Sequence, residues 1–192
     1  YILDAEPDAR LGIGLTRPLS PAAFRAAALD GSLEDLIDWK PVKAGDCFFI
    51  PAGTVHAIGA GITLAEVQQN VDVTYRLYDY GRPRELHLDD GAAVSRLEPY
   101  RRLPVEARLG EERRLVSDEE APFWLDLRAL NAGEQVDLPG DERLWFLPLS
   151  GTGAVDDQRW SKGECWLIDG QARITVEDSG AALLAAARRA TR

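Results

Sequence analysis

The chain has 192 residues, 45% of them hydrophobic and 28% charged, which is enough for one large domain or two small ones with their own cores. Its formal net charge of −10 argues against nucleic acid and anionic lipid as partners, because both would be repelled. No apolar run approaches the roughly 20 residues needed to span a bilayer, so we expect no membrane segment.

Cysteine and methionine content suggests a location and an incomplete chain. Cys47 and Cys165 lie far apart and form no closely spaced pair, so we expect two buried thiols in a reducing cytoplasm. The sequence contains no methionine and begins at Tyr1, in a stretch without the basic residues of a signal peptide. The chain is therefore predicted to be a fragment whose amino-terminal part is missing.

The first half of the chain reads as β structure with a short helical insertion. Short strands are expected at residues 1–3 and 9–15. Ser20 followed by Pro21 is typical of a helix start, and a second short helix is expected after Ser32, so the insertion covers about residues 20–38. Further on we predict strands at 47–50, 62–67 and 73–78, and a short helix within 86–97.

The second half reads as a separate β unit, joined to the first near residue 98. Many short strands separated by Gly-rich turns are typical of a sandwich or jelly roll. The Ala- and Leu-rich tail at 181–189 ends in basic residues, which predicts a terminal helix. The candidate strands lie at 123–127, 134–138, 143–150, 165–168 and 172–176.

The segment from Gly45 to His56 carries the clearest functional signal. Its order of Gly, five residues, Pro51-x-Gly53, two residues and His56 fits the second sequence motif of the cupin barrels. Gly45 would turn the chain into one strand and Pro51 to Gly53 would turn it out again, so that His56 can point at the barrel axis. An imidazole in that place is a candidate metal ligand.

The residues that follow narrow the resemblance. The run from Gly61 to Asn70, the run from Asp72 to Arg82 and the tetrapeptide Arg84 to His87 together closely resemble the type I mannose-6-phosphate isomerases, and so does the opening Tyr1 to Ala5. The resemblance implies a mainly β fold. Residues 1–97 would form the later part of a catalytic cupin jelly roll, and residues 98–192 a second, smaller cupin-like β domain.

The resemblance also implies a reaction and a set of site residues. His56 would be a zinc ligand, Glu66 a polar residue near the metal, and Arg76 the cation that reaches the substrate. The complete enzyme would hold one zinc ion and interconvert mannose 6-phosphate and fructose 6-phosphate through an enediol. A phosphorylated hexose is thus the expected partner, although this chain alone could lack the metal.

The chain departs from the family in ways that leave alternatives open. Val71 replaces a serine, and the sequence has only two histidines and no glutamine before Gln68 to complete the family's metal site. A non-catalytic sugar-binding or regulatory cupin is therefore the main alternative. A different cupin enzyme, such as a dioxygenase, agrees less well with the run at 74–79.

Each candidate residue also has a structural interpretation. Glu66 could be a carboxylate facing solvent, and Arg76 could form a salt bridge near Asp72 and Asp79. For three further residues, a surface or structural role is predicted: Arg82, Arg84 and His87.

Overall fold

The computed structural model describes residues 1–71, 73–79 and 82–188. The chain divides into two compact units, the first made of residues 1–66 and 70–104 and the second of residues 67–69 and 105–192. Strands dominate both units, so the mainly β fold predicted from the sequence is confirmed. None of the described helices is long and apolar enough to cross a membrane.

The first unit contains two small antiparallel sheets and a short strand, β4 (Asp46–Cys47). In one sheet, β1 (Ile2–Ala5) pairs with β6 (Ile62–Leu64). In the other, β2 (Arg10–Leu15) lies between β3 (Ile37–Pro41) and β5 (His56–Ile58). Apolar side chains of β1 and β2 are buried together in one core. Strand β2 pairs with the strand that begins at His56 and so sets its position.

The predicted helical insertion lies between β2 and β3. Helix α1 (Pro21–Asp30) begins where Ser20 Oγ accepts a hydrogen bond from the Ala23 N–H at 3.2 Å. It ends at Gly31, which has a positive φ of 86° and donates its N–H to Ala27 O. The short helix α2 (Leu33–Leu36) follows at once, so the prediction of two helices here is confirmed. Three residues of α1 are buried in the core: Phe24, Ala27 and Ala28.

Beyond β6 the first unit has less regular structure than the sequence predicts. The strand expected at 62–67 ends at Leu64, and residues 73–79 form no strand. The backbone N–H and C=O of Arg76 are instead bound by one residue, His87, and not by a neighbouring strand. The expected short helix is present as α3 (Leu88–Val94).

In the second unit, β7 (Val105–Glu106) precedes a seven-stranded antiparallel sheet. The sheet encloses a core centred on Phe146 and Trp160, whose rings meet edge to face at 5.7 Å. The strands of the sheet are β8 (Arg113–Val116), β9 (Phe123–Leu130), β10 (Gln135–Leu138), β11 (Leu144–Val155), β12 (Gln158–Trp160), β13 (Trp166–Ile168) and β14 (Ala172–Ala187).

The prediction of a terminal helix at 181–189 is wrong for residues 181–187, because these residues form the end of β14. Strand β14 pairs with β11 on one side, and on the other side with β10 first and then with β9. Residues 181–186 are all buried. Pairing on both edges and burial on both faces outweigh the helix propensity of alanine, which is worth less than about 1 kcal/mol per residue.

Candidate functional site

The turn before His56 has a backbone that only glycine suits. Gly53 has a φ of 81°, and a Cβ built on it would lie 2.5 Å from the carbonyl oxygen of Val94. The Arg96 N–H donates to Gly53 O at 2.7 Å, and the Thr54 N–H donates to Pro51 O at 3.1 Å. These contacts hold the turn against the chain that follows α3, and they set the point where β5 begins.

His56 is exposed at the start of β5, where it pairs with Ile13. Its Nδ1 lies 2.9 Å from the backbone oxygen of Thr54. A carbonyl oxygen only accepts hydrogen bonds, so Nδ1 must carry the proton. In the neutral ring Nε2 then keeps its lone pair, and a backbone carbonyl that orients the ring in this way is typical of metal-ligating histidines. The geometry of His56 fits the role of a single metal ligand.

A complete metal site is not assembled by the described residues. Within residues 1–71, 73–79 and 82–188 there is no group of three or more His, Cys, Asp or Glu side chains that could hold a metal ion. A catalytic zinc site needs three protein ligands and an open position. The donor set of this part of the chain therefore fits zinc only through His56.

Glu66 is an exposed side chain that follows β6. The residue before it, Ala65, extends the β1–β6 pairing, because its N–H donates to the backbone carbonyl oxygen of Tyr1 at 2.9 Å. Within the part of the chain that the structure describes, no hydrogen bond or ion pair joins Glu66, His56 and Arg76 to one another. All three belong to the first unit.

Arg76 is half-buried and held through its backbone. Its N–H donates to His87 Nδ1 at 3.0 Å, and its oxygen accepts from the His87 N–H at 2.8 Å. Its guanidinium Nη1 donates to the backbone carbonyl oxygen of Glu85 at 3.3 Å. The Asp79 carboxylate, an expected alternative partner of Arg76, is instead bound by Arg84. The other expected partner, Asp72, lies outside the described residues.

The ion pair between Asp79 and Arg84 closes the same stretch of chain. Arg84 Nε and Nη2 lie 2.5 and 2.8 Å from the two oxygens of the buried Asp79 carboxylate. The guanidinium of Arg82 lies 3.7 Å from one of them. This is a structural role of the kind predicted for both arginines. The pairing is bidentate, which makes it directional as well as strong.

Two contacts at the candidate site were not predicted from the sequence. The Thr54 carbonyl that orients His56 is a backbone atom, so no residue type reveals it. The bond between His87 and Arg76 joins residues eleven positions apart. The short run Arg84 to His87 marked His87 as part of the family motif, but only the folded chain shows which residue it contacts.

The cysteines differ in their surroundings. Cys47 is buried as predicted, and its burial raises the pKa of the thiol. Cys165 is exposed, so the expectation that it is buried is wrong. It follows the turn at Gly163 and precedes β13, and therefore lies outside the packed part of the sheet.

Part of the chain is similar in sequence to several mannose-6-phosphate isomerases. The isomerase ManA of Bacillus subtilis is 44% identical over 100 residues, which are 49% of this chain and 31% of that protein. The isomerase of Streptococcus mutans is 39% identical over 100 residues, with the same shares covered. No protein-family profile matches the chain. The matched region thus corresponds to about a third of the length of these curated relatives.

The fold leads to the same group of proteins. The crystal structure of the mannose 6-phosphate isomerase from Bacillus subtilis superposes with a TM-score of 0.75 at 26% sequence identity, covering 96% of this chain and 62% of that one. The resemblance predicted from the motifs is therefore confirmed: the chain is similar to mannose-6-phosphate isomerases in sequence over about half its length and in fold over nearly all of it.

Proposed function

We propose that this chain contributes to the active site of a mannose-6-phosphate isomerase. The observation that carries the proposal is the 44% identity to an isomerase of that name over 100 residues, together with the fold shared with a crystal structure of that activity. The proposed substrates are mannose 6-phosphate and fructose 6-phosphate, and the proposed location is the cytoplasm. The first unit would be the later part of the catalytic cupin domain, and the second unit a smaller cupin-like β domain, as expected from the sequence.

The reaction moves one proton between adjacent carbons and needs no net redox partner. The proton on C2 of the aldose moves to C1, while the hydroxyl proton on O2 moves to O1, so the sugar keeps its formula. Removal of the C2 proton gives an enediolate, whose negative charge lies on its oxygens until a proton neutralises it to the enediol. A fixed cation aimed at that charge in a site that excludes water stabilises it more than it stabilises the substrate.

Arg76 is the residue proposed to supply that cation. Its backbone is held at both polar atoms, and one guanidinium nitrogen is fixed on a carbonyl, which leaves other N–H groups to bind substrate oxygens. A local cation is also required on general grounds, because the net charge of −10 would repel a phosphorylated sugar. Glu66 is proposed as a polar active-site residue, and the catalytic base is not assigned.

His56 is proposed as a ligand of a zinc ion. Because Nδ1 of His56 is bonded to the Thr54 carbonyl, Nε2 is the ring nitrogen whose lone pair can bind the metal. The remaining ligands of the relatives' site would have to come from residues other than those described. A sugar-binding cupin without catalysis is the second candidate, and the observation that favours it is Val71, which stands where the family motif has a serine.

The test measures bound metal and isomerase turnover in the chain of 192 residues and in the complete product of its gene. Zinc and turnover in at least one of them are expected. His56→Gln should lower the zinc content, and Arg76→Lys should lower kcat by about 10²- to 10³-fold with little change in zinc. Arg10→Lys, an exposed arginine of the same unit, is the matched control and should match the unmutated protein. No turnover in either protein would reject the isomerase and leave the sugar-binding alternative.

A further inference from the structure

Residues 76 and 87 form a closed pair in the part of the first unit that lacks strands. The His87 N–H donates to Arg76 O at 2.8 Å, and the Arg76 N–H donates to the His87 ring at Nδ1, 3.0 Å away. Both polar backbone atoms of Arg76 are thus bound by a single residue. In a strand the same atoms would be bound by a neighbouring backbone, so here the imidazole replaces a backbone carbonyl.

His87 is itself anchored by the helix that it precedes. The Gly91 N–H donates to His87 O at 2.8 Å in the first turn of α3. Gly91 is buried, and a Cβ built on it would lie 2.6 Å from Leu77 Cδ2 and 3.1 Å from Tyr75 Cβ. The helix therefore packs directly against the residues on either side of Arg76, and the ring of Tyr75 meets the His87 ring edge-on at 6.0 Å.

The side chain of Arg76 is aimed by the same return of the chain. Its Nη1 donates to the oxygen of Glu85, two residues before His87. A shift of the Arg76 backbone would therefore also change the distance between the guanidinium and that carbonyl. A displacement of about 1 Å at a positioning contact can lower a rate by about 10²-fold.

We propose that His87 is a positioning residue for Arg76. By binding the backbone of Arg76, His87 holds the Arg76 guanidinium where it meets the phosphorylated sugar. The proposal rests on the proposed isomerase function. It requires that Nδ1 of His87 be unprotonated, because only a lone pair can accept the Arg76 N–H. His87 touches no substrate in this scheme and acts through Arg76 alone.

Two substitutions show whether the hydrogen-bond acceptor at the place of Nδ1 matters, or only the imidazole ring as such. In His87→Asn, the side-chain oxygen is as many bonds from Cβ as Nδ1, so it can accept the Arg76 N–H. In His87→Gln, the oxygen lies one bond farther, close to the place of Nε2, and the bond to Arg76 is lost. Asp90→Glu, an exposed position of α3 that keeps its charge, is the matched control for changes in this helix.

The first readout is hydrogen exchange of the Arg76 amide in the complete gene product. Exchange should be about tenfold faster in His87→Gln and close to that of the unmutated protein in His87→Asn. The second readout is turnover. His87→Gln should lower kcat about 10- to 100-fold with KM changed less than about 3-fold, and His87→Asn should restore most of kcat.

Other results would overturn the proposal in distinguishable ways. Equal kcat in the Asn and Gln variants, or unchanged Arg76 exchange in His87→Gln, would show that the bond to Nδ1 does not position Arg76. Full activity of His87→Gln beside an inactive Arg76→Lys would remove the positioning role and leave the proposed function standing. An unmutated protein without turnover would reject the proposed function itself and with it any catalytic role for His87, whatever the exchange data show.

Discussion

Replacing Gly53 by alanine tests whether the turn that presents His56 depends on a backbone that only glycine adopts. The residue has a φ of 81°, and an added Cβ would lie 2.5 Å from the backbone oxygen of Val94. Val94 O belongs to the end of α3, so it cannot rotate away as a side chain would. Gly31→Ala is the matched comparison in the same unit, because its φ is 86° but its nearest neighbour is the Tyr78 hydroxyl at 3.1 Å.

The expected magnitudes follow from these two geometries. A residue with a Cβ in the left-handed region costs about 1–3 kcal/mol, and this strain is common to both variants. The clash at Gly53 adds about 1–3 kcal/mol of overpacking, since either the turn or the helix end must move. Gly53→Ala should therefore lower the free energy of unfolding by about 2–6 kcal/mol and Gly31→Ala by about 1–3 kcal/mol.

Urea unfolding of both variants, with hydrogen exchange to follow the first unit separately, measures the difference. A loss of about 1 kcal/mol should lower Tm by roughly 4–8 °C in a unit of this size. Bound zinc should also fall in Gly53→Ala if the proposed ligand role of His56 holds, because the turn sets the start of β5. If the two variants differ by less than about 0.5 kcal/mol, the contact with Val94 does not constrain the turn and the reasoning is refuted.

Three further predictions concern the ion pair, the thiols and the second core. Arg84→Ala should destabilise the first unit by about 2–3 kcal/mol in urea unfolding, because the buried Asp79 carboxylate then keeps only the more distant Arg82 guanidinium. Asp79→Ala should cost only about 1 kcal/mol, because water can bind the half-exposed Arg84 guanidinium that remains. The reverse order would contradict this reasoning. Cys165 should react with a thiol reagent at once and Cys47 only on unfolding. Burial raises the pKa of the Cys47 thiol in the folded protein. The thiol's contribution to stability is therefore complete below the pKa of the unfolded thiol and is lost as the pH rises through the pKa of the folded thiol. Cys47→Ala should flatten this alkaline decline in the free energy of unfolding. Phe146→Ala, at a fully buried position, should cost about 3–5 kcal/mol in thermal or urea unfolding, and a cost below about 1 kcal/mol would mean that the core collapses around the gap.

Local chemistry explains the features that the sequence predicted well. Ser20 caps α1, and the Pro51 to Gly53 turn leads into β5, because the backbone preferences of these residues act within a few positions. The motif resemblance worked for a related reason, since it depends on residue types in order and needs no knowledge of contacts. The mainly β fold class and the resemblance to mannose-6-phosphate isomerases could therefore be predicted from the order of the residues alone.

Long-range pairing decided the rest. The Ala-rich tail has helix propensity by itself, but it becomes the strand β14 because β11 binds one edge while β10 and β9 bind the other. In the same way, Arg76 is held by His87 and Asp79 by Arg84, contacts that sequence patterns do not specify. Such partners meet only when the whole chain has folded, and the energy of the completed hydrogen bonds and buried surface then outweighs local preferences of less than about 1 kcal/mol per residue.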